Sequence, residues 1–80
     1  MSIDQVTAQM RAEGAIAYCV FVTTRSVARF WRYTSQGVET QQWYGCTQGQ
    51  YSDTGKGWGT SMYSRQEIEA HLLHKQWIKL

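Results

Sequence analysis

The apolar positions of this chain fall into blocks with different periods. Ile3, Val6, Thr7 and Met10 recur at intervals of three and four, which marks one face of a helix. Ser2 is placed to cap that helix, with Gln5 at its third position completing a reciprocal capping box, and Gly14 is placed to end it in the left-handed conformation. Asp4 near the start and Arg11 near the end suit the helix dipole.

The next block, Ala15 to Thr24, is apolar at both parities and rich in β-branched and aromatic residues. Such a run predicts a strand covered on both sides, and we place it at the centre of the sheet. Strands are expected at 27–34 and 38–45, joined by Ser35-Gln36-Gly37 as a three-residue hairpin loop with a bulge at the glycine. That loop pairs Thr34 with Val38, Arg32 with Thr40, Trp31 with Gln41 and Arg29 with Trp43. One face then carries Val27, Arg29, Trp31, Tyr33, Glu39, Gln41 and Trp43; the other carries Ala28, Phe30, Arg32, Thr34, Val38, Thr40, Gln42 and Tyr44. A slip of one residue would exchange these partners between faces.

Residues 45 to 59 hold five glycines in fifteen positions and form the one substantial loop. A short fourth strand is expected over 57–63. Ser64 then caps a second helix, with Glu67 completing another capping box and Ile68, Leu72 and Leu73 forming its apolar stripe. Trp77, Ile78 and Leu80 are too apolar for a loose tail and should pack back on the body. The whole chain, 1–80, is read as a single α+β domain: a small antiparallel sheet of three to four strands with an N-terminal and a C-terminal helix, in the order α-β-β-β-(β)-α, both helices on one face.

Composition narrows this picture only slightly. With 42% apolar and 18% charged residues the chain has enough apolar area to fold, and the absence of proline excludes a polyproline motif. The net charge of +2 is compatible with a nucleic-acid module or with an ordinary soluble protein. Cys19 and Cys46 lack CxxC spacing and a neighbouring histidine, so no metal or other cofactor is expected, and two free thiols are favoured over a disulfide. The first residues lack the basic segment of an export signal, and no apolar run approaches a membrane span, so a cytoplasmic location without membrane contact is expected.

The chemistry-bearing residues give little support to catalysis. Gly55-Lys56-Gly57 lacks the spacing and the following Ser/Thr of a phosphate loop. Cys46 with His71 or His74 is a weak nucleophilic pair, and the six acidic residues are scattered. The chain is therefore not read as an enzyme.

Binding is the better expectation. If two helices cover one face, some among Phe30, Trp31, Tyr33, Trp43 and Tyr44 face outward on the other, and exposed aromatics beside Arg and Gln mark interfaces. The expected function is a small non-catalytic protein-binding domain, acting as an inhibitor, immunity factor or accessory subunit. Trp31, Tyr33 and Trp43 are the anchors; Arg29, Glu39 and Gln41 surround them; Tyr51, Asp53 and Lys56 on the long loop form a second patch. Single-stranded nucleic acid binding through Arg25, Arg29, Arg32 and the same aromatics is the alternative. A structural homodimer burying that face is the third reading, and a loop carrying Tyr51 and Trp58 folded over it would make the face a second core instead.

Overall fold

A computed structural model describes residues 1–80. Helix α1 (Ile3–Ala12) is followed by β1 (Ala17–Val22), β2 (Ser26–Thr34), β3 (Gly37–Gly45), β4 (Tyr51–Asp53), β5 (Gly59–Thr60), helix α2 (Arg65–Leu73) and β6 (Ile78–Lys79). This is the expected α+β fold, with an N-terminal and a C-terminal helix and an antiparallel sheet, but the sheet has six strands where three to four were expected: β4 lies in the stretch read as loop and β6 follows α2.

The helix boundaries follow from local chemistry. Both capping boxes form: Ser2 accepts from the Gln5 amide and Ser64 from the Glu67 amide, each reciprocated by the longer side chain. Gly14, at φ +99°, ends α1. The Ala15 amide then reaches back to the Met10 carbonyl at 2.9 Å and the Gly14 amide to that of Arg11 at 3.0 Å, which is a Schellman closure.

The sheet runs β4-β3-β2-β1-β6, with β5 also pairing β3. The centre is therefore β2, and β1, expected there, lies next to the edge. On its outer side β1 pairs with β6 only at Ala17 and Tyr18, so Cys19–Val22 have no neighbour there.

The β2–β3 register differs by one residue from the expected ladder. Thr34 pairs with Gly37, Arg32 with Glu39, Trp31 with Thr40 and Arg29 with Gln42. The turn closes around only Ser35 and Gln36, because Gly37, at φ +141°, makes the bend itself and still forms the first rung. As the side-chain period of a strand is two, the slip moves every β3 side chain to the opposite face. Trp31, Tyr33 and Arg29 now share a face with Val38, Thr40, Gln42 and Tyr44, while Glu39, Gln41 and Trp43 lie on the other with Phe30 and Arg32.

A further correction concerns the helices, which cover one face each. On the first face Val6 and Met10 of α1 pack with Ala15, Ala28, Phe30 and Trp43, flanked by Ile3, Tyr18, Tyr51, Trp58 and Leu80. On the second, Ile68 of α2 packs with Ala17, Trp31 and Val38, flanked by Tyr33, Tyr63, Leu72 and Trp77. Phe30 and Trp31 are adjacent on one strand, so they point to opposite faces and each requires its own cover. The C-terminal segment serves both cores through Trp77 and Leu80, as its apolar character implies. Leu73, expected in the α2 stripe, is 77% exposed instead.

A glycine is needed at position 45. A Cβ there would lie 2.8 Å from Tyr51 Cε2 and 3.1 Å from Ser26 Cβ. Gly45→Ala is expected to lower stability by about 1–3 kcal/mol through overpacking, seen as a fall in the urea midpoint with the slope unchanged.

Candidate functional site

Most of the residues expected to contact a partner are committed to the fold. Trp31 is 1% exposed, stacked on Trp77 with ring centroids 3.8 Å apart and met edge-on by Tyr63. Trp43 is likewise buried, its Nε1 donating to Gln41 Oε1 at 2.9 Å, so Gln41 is a core residue. Neither tryptophan is a surface anchor. The outward aromatic face expected from the sequence does not exist in that form, because α2, Tyr63 and Trp77 cover the half of it around Trp31.

Glu39 and Arg32 form the molecule's ion pair, at 2.9 Å, on the first face. Arg32 also donates to the Glu13 carbonyl at 2.8 Å, and its guanidinium lies 4.2 Å from the Trp58 ring centre. Trp58 Nε1 in turn donates to Glu13 Oε1 at 2.9 Å. This network ties the end of α1 and the long loop to the sheet, leaving Arg32 no free charge to offer. The loop patch does not assemble either. Tyr51 packs into the first core, Asp53 Oδ1 caps the Gly55 amide at 2.9 Å, and Lys56 is exposed.

Tyr33 stays at the margin of the second core, where its hydroxyl donates to Glu69 and Arg65 lies over its ring. Burial first, then the hydrogen bond to Glu69 and its negative charge, push the phenol from 10.0 up to about 12. The folded state thus holds a proton that the unfolded chain releases. The stabilisation is fully present below pH 10.0 and is lost as pH rises through about 12. Tyrosinate absorbance should show the Tyr33 phenol titrating late, and Glu69→Gln should bring it part of the way back.

The cysteines are both free thiols. Burial raises the Cys19 thiol, opposed by the charge of Arg29, whereas backbone amides of Gln48 and Gln50 lower that of exposed Cys46. His71 is stacked on Trp77 at 4.0 Å and bonded to Gln76 Oε1 at 2.6 Å, which makes it part of the second core.

What remains open is the end of the second face that α2 does not reach. Its floor is Val27, paired with Phe21 on one side and Tyr44 on the other. A depression of about 410 Å³ is lined there by Phe21, Arg25, Val27, Arg29, Gln42 and Tyr44, with Thr23 and Thr24 at its rim. The Arg29 guanidinium carbon lies 4.9 Å from the Phe21 ring centre and that of Arg25 lies 5.0 Å from the Tyr44 ring centre. Neither arginine has a carboxylate partner, no acidic residue lines the depression, and the buried Nε of Arg29 has no acceptor. Two unneutralised guanidinium groups on aromatic supports form a surface suited to an anionic or acceptor-rich partner.

Of the residues anticipated from sequence, Arg25, Arg29 and Tyr44 belong to this surface. Phe21 and Gln42 were missed as members. With Gly37 counted as the first residue of β3, the ladder pairs Arg29 with Gln42 and Val27 with Tyr44, so the length of that turn was the signal for the β3 members, while Phe21 follows from the separate β1–β2 register.

No helix is long and apolar enough to cross a membrane. Compared with known protein families, curated proteins and solved structures, the chain has no significant match among any of them.

Proposed function

We propose that this chain is a small non-catalytic protein-binding domain, of the inhibitor, immunity-factor or accessory-subunit kind, that receives an extended segment of its partner along the free edge of β1. The observation carrying this reading is the four-residue opening at Cys19–Val22, where Val20 and Val22 are 43% and 74% exposed. An exposed strand edge is a template for pairing, and proteins ordinarily blunt such edges with charge, proline or a bulge. The strand Ala17–Val22 carries neither charge nor proline. Strand addition would satisfy the edge's unpaired backbone groups and lay alternate partner side chains over the arginine-bearing depression.

Selection of short random segments from a displayed library against the full chain supplies the probe. Val22→Lys is expected to leave stability within about 0.5 kcal/mol of the parent, since the side chain is 74% exposed. It should weaken the selected segments by about tenfold or more, since it places a gatekeeper charge at the edge. Segments that bind the lysine variant equally well would remove the edge from the interface.

Single-stranded nucleic acid is the second reading, favoured by the two unpaired arginines on aromatic rings. Those rings already carry guanidinium groups and are less free to stack on bases, which places it behind protein binding. Affinity for an oligothymidylate that falls steeply with salt would put it first.

A further inference from the structure

We infer that the free edge of β1 selects a segment bearing an acidic side chain, and that Arg29 is the residue that reads its carboxylate. This inference rests on the strand-addition reading above and adds the chemistry of the partner. Arg29 belongs to β2, one strand in from the edge, yet its guanidinium lies over the Phe21 ring of β1. The charge is thereby carried toward the open side of the sheet. Side chains of a strand added to β1 alternate between faces, so those on the second face stand beside Cys19 and Phe21. A carboxylate there meets Arg29 directly, and a turn of the guanidinium off the ring gives its Nε and one Nη an acceptor in the bidentate geometry that arginine favours. Nε has no acceptor in the free protein.

The charges around the edge favour the same partner. Arg25 lines the depression, and Lys79 pairs with Ala17, one rung beyond the Tyr18–Ile78 rung at which the open edge begins. No acidic residue occurs in β1, β2 or β6. The six acids lie elsewhere: Asp4 and Glu13 at α1, Glu39 in its ion pair, Asp53 on β4, and Glu67 and Glu69 on α2. A second copy of the chain, pairing β1 with β1, would bring Ala-Tyr-Cys-Val-Phe-Val, which has no carboxylate for either Arg29. The occupant that fits is therefore a foreign, alternating segment with Asp or Glu on the face toward Arg29.

The test compares segments selected against the parent chain with the same segments carrying the isosteric amide in place of the acid, on the parent, Arg29→Gln and Arg29→Lys. The expected result is an acidic residue fixed at one register of an alternating pattern, with about a tenfold or greater loss on amidation in the parent. That loss should vanish in R29Q and return in part in R29K. The Arg29 Nε–H resonance should shift with the acidic segment and not with its amide, a readout that needs no variant to fold. Alternating segments without acid preference, or an amidation loss unchanged in R29Q, would overturn the assignment of Arg29 while leaving strand addition intact. Segments insensitive to Val22→Lys would overturn both. Displacement by inorganic phosphate at concentrations where acetate has no effect would assign the site to phosphate and overturn the carboxylate.

Discussion

Replacing Trp31 by alanine is expected to cost about 3–5 kcal/mol of folding stability, the range for deleting a buried aromatic side chain. The ring is 1% exposed and forms the floor of an aromatic stack, with Trp77 at 3.8 Å and His71 beyond it at 4.0 Å from Trp77. Tyr63 closes the side edge-on to both Trp31 and Trp77. Removing Trp31 leaves Trp77 without its stacking partner and takes from α2 much of the surface on which Ile68 and Leu72 rest. For 80 residues the total stability is roughly 4–12 kcal/mol, so this single change removes a large part of it. Urea unfolding followed by far-ultraviolet circular dichroism measures the loss. A stable, well-folded alanine variant would place Trp31 on the surface and restore the aromatic sheet face as the interface.

Phe30→Ala is expected to cost a similar amount, about 3–5 kcal/mol, for an independent reason. Phe30 is fully buried and points to the other face, where it stacks on Tyr18 with centroids 5.3 Å apart and packs in the cluster formed by Val6, Met10 and Trp43. Two neighbouring residues of one strand are thus both core residues, which requires a sheet covered on both sides. If only one of the two substitutions proved costly in the same unfolding measurement, one face of β2 would lack its helix.

These two residues also show what the sequence made legible and what it did not. The capping boxes at Ser2 and Ser64, the glycine that ends α1 and the three long strands were readable because each depends on residues a few positions apart, whereas β4, inside the stretch read as loop, and the two-residue β5, expected over 57–63, are too short to leave a periodic signal. The parity of Phe30 and Trp31 was equally plain. Which helix covers which side was not, because an apolar stripe identifies a helix's own buried face and carries no information about the sheet face it meets. The hairpin register turned on whether Gly37 belongs to the loop or to the strand, a difference of one backbone conformation that reassigned Glu39, Gln41 and Trp43 to the opposite side. The depression at Arg25 and Arg29 was obscured for the same reason: its lining combines β1 and β3 residues that only the correct register brings together. The open edge was hidden by the continuous apolar run 15–22, which suggests a central strand but here belongs to one whose outer neighbour, β6, is only two residues long.

The most direct test of the binding surface is backbone amide hydrogen exchange across β1, in the free chain and with a selected segment bound. The outward-facing amides of Cys19–Val22 are expected to exchange rapidly in the free protein and to become protected on binding, while the amides of β2 stay protected in both. Protection of those β1 amides already present in the free chain, or protection on binding that falls on α2 or the glycine-rich loop instead, would contradict strand addition at this edge.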